Sequence, residues 1–321
     1  AQIVKGGVYM DDKELDKDNH LPDLAFERAV SLRSITVPST LRSIGYAAFQ
    51  DTYSLREVNL NEGLVEIDTW AFASWNVESS LEKINIPSTV RSFQGTTFAS
   101  CYKLKDFTFH PDNPYYTFDG IAVYTKDYGQ IVHIIPSYDG MLPLPDECRT
   151  VQWSSLRSSR IKGFVGKNVV EIGGAAFADL EGANYLAFGS KLKRVGIGPF
   201  NYARLNKLFL GCHDIPDGEY VDYVDGVYSD IWDSYKNVTL YVPRDAVDKF
   251  RKHRVWGMAK EVLPIEDTVF AYLADTELDA VDEVETSSTA MPHSIYSLTG
   301  VKLNRPIKGL NIVDGKKVMV K

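Results

Sequence analysis

The chain has little of what metal binding, nucleic-acid binding or membrane insertion requires. Its three cysteines, Cys101, Cys148 and Cys212, are widely separated and form no CxxC pair, so they predict neither a disulfide framework nor a zinc site. No apolar run approaches the roughly 18–20 residues of a membrane-spanning helix. The formal net charge is -8, and no basic run with interleaved aromatics occurs. Nucleic acid therefore has no electrostatic reason to bind.

Catalytic signatures are also missing. The six histidines lie in unrelated contexts, and there is no HExxH, no GxSxG and no phosphate-binding glycine loop. Cys212, His213 and Asp214 are consecutive, but adjacent residues seldom converge on one ion, which favours a solvated loop. The acidic stretch 214–233 fails the spacing of a calcium loop. We predict no enzyme activity, no catalytic residue, no metal and no cofactor.

What the chain does contain is an internal repeat of about 23 residues. The segments that begin at Leu32, Leu55 and Leu81 align as L-x-x-I-x-I-P-x-x-L-x-x-I-G-x-x-A-F, and 161–177 and 183–200 follow the same pattern. These five copies end on Phe49, Phe72, Phe98, Phe177 and Phe200, and Phe26 holds the same place before the first full copy. Chance does not produce this register.

The repeat predicts a solenoid. The I-x-I step alternates as a short strand does, and the spacing of three that follows suits a tight or 3₁₀ turn. One copy cannot bury its own inward row, whereas stacked copies bury about six apolar side chains each, worth about 1.5–3 kcal/mol apiece. We expect a right-handed stack with a continuous phenylalanine spine. Cys101 should be a small buried hydrophobe, and Trp153, in a degraded copy at 142–156, should lie in the core.

The period breaks once, between the strand steps at 107–109 and 142–144. The inserted residues contain IAVY, a KDYG turn and IVHII, which predicts a β-hairpin at one edge of the stack.

At this point the residues resemble the BspA-like leucine-rich repeat family of surface and secreted proteins, found especially in Bacteroidetes. The stretch from Ile86 to Leu104 (IPSTVRSF, then FASC) and the NPYY…DGIAVY segment carry the resemblance. Residues 238–258 are similar to the strand and capping helix that end such arrays. Residues 294–321 resemble the C-terminal secretion and sorting tails of that phylum. The resemblance implies export and adhesive or partner-binding roles without a common enzyme activity.

These patterns divide the chain into three regions. Residues 1–263 form the array, with the hairpin insertion at about 110–141 and the capping segment at about 238–263. The acidic stretch 264–292 is predicted to be a solvated linker, with the alternative that its FAYL segment packs as a short strand. Residues 293–321 are predicted to form a small β tail.

The outward position of each strand should form the surface that a solenoid offers to partners. This row changes from polar to apolar along the stack: Thr36, Asn59, Asn85, Thr108, Pro143, Val165, Ala187, Phe209 and Tyr241. Two interpretations of its apolar part remain open. Either the hairpin, the 214–235 loop or the tail covers it, or it is an open partner site. In the second case the contact residues would be Val165, Tyr185, Phe209, Tyr241 and Trp232.

We therefore expect a non-catalytic binding protein that contacts a protein or glycan at the extracellular or outer-membrane surface. The start AQIVK fits either a cytosolic protein or a mature chain whose signal peptide was removed, and the resemblance favours the second. The main alternative is a structural scaffold without a soluble ligand, and a carbohydrate-active enzyme is a distant third. The oligomeric state stays open.

Overall fold

The computed structural model describes residues 19–75, 78–93, 95–218 and 234–274, together with the backbone of short strands within 2–9 and 295–320. Successive coils contribute short strands that pair in parallel, which confirms the predicted solenoid. The strands form four sheets along the array and one in the tail.

Two sheets belong to the N-terminal block. The N-terminal face sheet has the order β1 (Gln2–Val4), β2 (Gly7–Tyr9), β4 (Ser34–Thr36), β6 (Glu57–Asn59), β8 (Lys83–Ile86) and β10 (Asp106–Phe109). The N-terminal side sheet has the order β3 (His20–Leu21), β5 (Ser43–Ile44), β7 (Glu66–Ile67) and β9 (Ser92–Phe93). In the face sheet Ile35 lies opposite Val58, which lies opposite Ile84. Equivalent positions of successive repeats are therefore direct neighbours.

Two more sheets belong to the C-terminal block. The C-terminal side sheet has the order β11 (Tyr116–Phe118), β12 (Ala122–Thr125), β13 (Gln130–Ile134), β15 (Thr150–Val151), β17 (Glu171–Ile172), β19 (Arg194–Val195) and β21 (Asp217–Gly218). The C-terminal face sheet has the order β14 (Met141–Pro143), β16 (Gly163–Gly166), β18 (Ala183–Phe188), β20 (Leu205–Leu210), β22 (Thr239–Val242) and β23 (Glu261–Pro264).

The capping segment follows β22, as predicted. The helix α1 (Val247–Lys252) buries Phe250, and Trp256 after it is fully buried. The described chain also contains 3₁₀ turns at Ser234–Asn237, Arg244–Ala246, Trp256–Met258, Ile265–Asp267 and Ala271–Leu273. Within the described ranges no helix is long and apolar enough to cross a bilayer.

In the tail, β24 (Ile295–Ser297), β25 (Gly309–Val313) and β26 (Lys316–Val320) form an antiparallel sheet. The division into array, linker and tail stays a prediction. Within the stretch predicted to be a linker, residues 264–274 are structured.

The turn that follows each side strand makes its own hydrogen bonds to the next coil. Ala47, Phe49 and Asp51 donate their N–H groups to the carbonyl oxygens of Thr69, Ala71 and Ala73 at 2.7–3.0 Å. Residues four positions apart adopt positive φ to make this possible, at 52° in Ala47 and 54° in Asp51. Such a conformation costs about 1–2 kcal/mol in a residue other than glycine. The hydrogen bonds that these turns make to the next coil offset that cost, and the same geometry recurs along the stack.

The phenylalanine spine forms as predicted within each block. The rings of Phe26, Phe49, Phe72 and Phe98 stack in nearly parallel, offset planes, with ring centroids 5.1–5.6 Å apart and interplanar angles of at most 8°. Phe177 and Phe200 continue the pattern in the C-terminal block at 5.9 Å. Between the blocks Leu156 takes the position of the ring, since its N–H bonds Ala176 as that of Phe49 bonds Ala71. The prediction of a continuous spine is therefore wrong here, and the rings form two separate stacks.

Truncating a central ring should cost far more than truncating the terminal one. Phe72→Ala removes a ring that is 3% exposed and stacked on both sides, so we expect a loss of about 3–5 kcal/mol in unfolding free energy. Phe26→Ala is the control, because that ring is half-buried and stacks on Phe49 alone among the spine rings. Urea unfolding measures both, and equal losses would contradict a shared spine.

The inserted segment divides the hydrophobic core in two. It is a three-stranded unit, β11 to β13, that joins the edge of the C-terminal side sheet, so the predicted hairpin carries one additional strand. Val123 and Val132 pack into the core of the N-terminal block, whereas Tyr124 and Ile131 pack into the core of the C-terminal block. The insertion is therefore a wall with a separate apolar core on each side.

One buried polar side chain lies in this wall. His133 is 3% exposed and is surrounded by the rings of Phe93, Phe98 and Phe107 at 5.5–6.3 Å. Its Nδ1 lies 3.1 Å from the carbonyl oxygen of Gly95, and its Nε2 has no hydrogen-bond partner in the described chain. Burial lowers the pKa of His133 from 6.5 to about 4.

Acidification should therefore destabilise the fold through His133. Because the folded pKa lies below the unfolded one, the unfolded chain binds the proton first as pH falls below about 6.5. At about pH 5 the expected loss of unfolding free energy from this group is about 2 kcal/mol. His133→Leu should abolish that part of the pH dependence, while His110→Leu, at an exposed position, should retain it. Urea unfolding at pH 5 and pH 8 measures the difference, and identical pH profiles for the two variants would refute the assignment.

Candidate functional site

The outward positions of the two face sheets form one row in each block. Strand pairing places Thr36, Asn59, Asn85 and Thr108 side by side in the N-terminal face sheet. It likewise aligns Pro143, Val165, Ala187, Phe209 and Tyr241 in the C-terminal face sheet. The row read from the sequence is thus a physical feature, and its chemistry changes from polar to apolar between the blocks.

The N-terminal part of the row is polar and accessible to solvent. Asn85 uses its amide group to bond the backbone of Leu60, donating at 2.7 Å and accepting at 3.0 Å. Beside the row, Lys83 pairs with Glu57 at 3.1 Å, and the two side chains are 50% and 42% exposed. This surface combines hydrogen-bonding groups with charges of both signs, and we call it the polar face.

The C-terminal part of the row is covered. We call Val165, Tyr185, Ala187, Phe209 and Tyr241 the apolar strip, and residues 265–274 the strap. Ile265, Phe270, Tyr272 and Leu273 of the strap are at most 5% exposed and pack with the strip in one hydrophobic cluster. The strap therefore shields from water a surface that would otherwise expose several large side chains.

The residues predicted to contact a partner lie mostly in this strip. Val165 and Phe209 are buried, at 9% and 4% exposure, whereas Tyr185 and Tyr241 are half-buried. Trp232 lies outside the described residues. Among the described residues the cover is the strap, which belongs to the stretch predicted to be a linker. Most of the 214–235 loop and the side chains of the tail, which were also predicted as covers, lie outside the described residues. Whether these residues bind a partner stays a prediction.

Aromatic packing fixes the centre of the strap. The ring of Phe270 lies 4.8 Å from that of Tyr185 and 4.5 Å from that of Phe209. Phe209 in turn stacks on Tyr241 at 4.6 Å. Burial raises the pKa of Tyr185 to about 12, so its phenol stays neutral over the physiological range.

Polar contacts hold both ends of the strap. At the beginning, Arg244 donates its backbone N–H to Glu266 and its guanidinium to Asp267 at 2.6 Å. At the end, His213 contacts Asp245 through Nδ1 at 2.9 Å and the carbonyl oxygen of Ala274 through Nε2 at 3.2 Å. Both ring nitrogens of His213 therefore face acceptors, an arrangement that only the protonated imidazole satisfies fully.

Gly211 allows the backbone at the end of the strap to lie close to the backbone after β20. A Cβ atom on Gly211 would lie 1.9 Å from the carbonyl oxygen of Leu273. Only a residue without a side chain permits this close approach of the two backbones.

The pKa of His213 should be raised by these acceptors. The hydrogen bond to Asp245 is the largest cause, and Glu266 adds to it, while partial burial opposes the shift. Lys249 also faces this group, but it pairs with Asp214 at 2.6 Å and donates to the backbone carbonyl of His213. The contribution of His213 to closure is thus present below about pH 6.5 and is lost as pH rises through its folded pKa.

An NMR titration checks this assignment. We expect the midpoint of His213 above 6.5 in the intact chain, because Asp245 stabilises the imidazolium. Asp245→Asn should move the midpoint down, whereas Asp248→Asn, on the neighbouring helix, should leave it in place. A midpoint at or below 6.5 in the unsubstituted chain would contradict the geometry.

The consecutive Cys212, His213 and Asp214 face different surroundings. Cys212 is buried, which raises its pKa to about 12, while His213 and Asp214 pair with different residues. No group of three metal-ligating side chains occurs among the residues that the structure describes. Cys101 is fully buried, as predicted, and its thiol contacts the carbonyl oxygen of Phe72.

One aromatic expectation is wrong. Trp153, predicted to lie in the core, is 57% exposed. Its ring lies over Gly174 of the next coil, where a Cβ atom would come within 2.2 Å of it. The signal that was available is the Gly173–Gly174 pair, which leaves room on the surface for a large ring from the preceding coil.

Comparisons with known proteins agree with this architecture. Residues 19–125 match the family described as BspA type leucine rich repeat region, in six copies. A leucine rich cell surface protein from Faecalibacterium prausnitzii is 18% identical, with a TM-score of 0.55 over 79% of this chain and 65% of that one. A leucine-rich repeat protein from Eubacterium ventriosum is 16% identical, with a TM-score of 0.52 over 76% and 69%. No curated protein matches. These similarities establish the fold, and the resemblance of the tail to sorting tails stays a prediction.

Proposed function

Because the chain carries leucine-rich repeats of the BspA type, we propose that it is a non-catalytic binding protein that contacts a protein or glycan partner at the cell surface. The observation that carries this proposal is the outward row of the face sheets. Its side chains take no part in the cores of the two blocks, so those that the strap leaves uncovered are available to recognise a partner. Repeat proteins of the solenoid type commonly bind their partners on the surface that successive strands form.

The polar face is the accessible half of this surface. Its outward row includes the hydroxyl groups of Thr36 and Thr108, which donate and accept hydrogen bonds. The neighbouring row adds the charges of Glu57 and Lys83. Such groups suit a protein or glycan partner, whose surfaces present complementary polar groups. The apolar strip, with Tyr185 and Tyr241 at its margin, would add aromatic contacts when uncovered.

An exported location fits the description of the Faecalibacterium prausnitzii structure as a cell surface protein. We extend that location to this chain as part of the proposal. The BspA-type repeats also fit a protein without enzyme activity, since such repeats supply surface and not catalytic groups. One observation favours the scaffold alternative. Because the strap covers the apolar strip, that strip needs no external ligand to shield it from water.

Binding to arrays tests the proposal. The biotin-labelled full chain is applied to a glycan array and to a panel of purified extracellular-matrix proteins, and affinity for any hit is measured. Lys83→Glu should weaken that affinity at least about ten-fold, equivalent to about 1.4 kcal/mol. Lys103→Glu is the matched control, because Lys103 is also about half exposed and pairs with one carboxylate, Glu78.

Three results would count against the proposal. An absence of hits together with self-association would favour the scaffold, and the release of reducing ends from glycans would favour an enzyme. An equal loss of affinity in both lysine variants would remove the polar face from the binding surface.

A further inference from the structure

We infer that the apolar strip is a groove for a short aromatic peptide, which the strap occupies within the same chain and which opens when the strap leaves. The inference deepens the proposed function and rests on it for the claim that the groove serves a partner. The occupant we assign is a peptide segment with the chemistry of the strap, namely acidic residues followed by Phe-x-Tyr-Leu.

The strap is an addition to a core that is complete without it. Phe164, Leu186, Leu208 and Leu240 point inward from the same strands and belong to the core of the C-terminal block. The strap packs with the opposite faces of those strands and forms a separate cluster. Its departure would thus uncover the strip without opening the core beneath.

The strap docks by side chains and not as a strand of the sheet. Its backbone-to-backbone hydrogen bonds are local, from Thr268 to Ile265, from Leu273 to Phe270 and from Ala274 to Ala271. These bonds form two 3₁₀ turns that do not depend on a neighbouring strand. The carbonyl oxygen of Ala274 also contacts the side chain of His213. A segment with this construction can dissociate without breaking the ladder of strand pairs in the face sheet.

The centre of the groove is a receptor for one ring. Phe270 is 3% exposed and lies between Tyr185 and Phe209, so the strip supplies an aromatic wall on two sides. Buried aromatic anchors of this kind dominate the binding energy of peptide complexes. The same geometry would accept the phenylalanine of a partner peptide.

Charge selects the residues that precede the ring. Arg244 contacts Asp267 and Glu266, three and four positions before Phe270. The guanidinium of Arg244 and the carboxylate of Asp267 are 60% and 64% exposed, so this pair contributes little to affinity but sets the direction of the peptide. A partner peptide should therefore carry acidic residues before its aromatic residue.

A synthetic peptide of residues 265–274, blocked at both ends and fluorescently labelled, tests the groove in the full chain. The unsubstituted chain should bind it weakly, because the attached strap competes at an effective concentration of about millimolar. Phe270→Ser should weaken the attached strap and raise the affinity for the peptide at least about ten-fold. Adding Tyr185→Ser should remove that gain, whereas adding Tyr202→Ser, at an exposed aromatic residue elsewhere, should not.

The outcomes separate a groove from a structural cover. A folded Phe270→Ser chain that binds the peptide no better than the unsubstituted chain would overturn the inference. So would a Phe270→Ser chain that fails to fold, because the strap would then be part of the core. Peptide binding without any hit on the arrays would leave the groove in place and reject the proposed external partner.

Hydrogen exchange of the unsubstituted chain gives an independent test. The amides of Leu273 and Ala274 should be protected at least about a hundred-fold less than those of Leu208 and Leu210 in β20, because the strap opens without global unfolding. Equal protection of strap and strand would overturn the inference.

Discussion

No coil of this protein can bury its own apolar residues, and the whole architecture follows from that constraint. Each coil presents its inward row to the coils on either side, so Phe72 is shielded only because Phe49 and Phe98 stack against it. The same dependence places strands of successive coils in parallel register and aligns the positive-φ residues of the turns. Packing, strand pairing and turn hydrogen bonds therefore repeat together at one period.

The wall at β11 to β13 is where that repetition stops. It separates the two cores, ends the first file of phenylalanine rings and starts a new side sheet. Contacts across it still exist: the hydroxyl of Tyr102 donates to the carbonyl oxygen of Ser158 at 3.0 Å, and the guanidinium of Arg157 lies over the ring of Trp75 at 5.2 Å. The blocks thus share a surface made of specific polar and cation–π contacts as well as the apolar wall.

Sequence predicts the features that recur and misses those that occur once. The spine, the buried Cys101 and the outward row follow from a register that several copies confirm. The aromatic enclosure of His133 depends on residues from β9, β10 and β13, which no local pattern relates. The position of Trp153 does not follow from the sequence, because a degraded copy has no consensus that fixes the side of the turn on which its ring lies. The acidic residues of the strap are typical of solvated sequence and predict a linker, although its Phe-x-Tyr-Leu is apolar.

Packing against neighbouring coils constrains the inward strand positions but not the outward ones. One strand geometry can therefore carry both the polar face and the apolar strip. Inward residues must match their neighbours in the stack, so they are similar in both blocks. Outward residues face solvent or the strap, so the polar face and the apolar strip can differ on the same strand geometry. An apolar strip exposed to water would promote association with other chains. The strap removes that hazard with one inserted ring and local turns, and Gly211 gives its backbone room to lie close. The same strands therefore carry a core on one side and a second apolar cluster, closed by the strap, on the other.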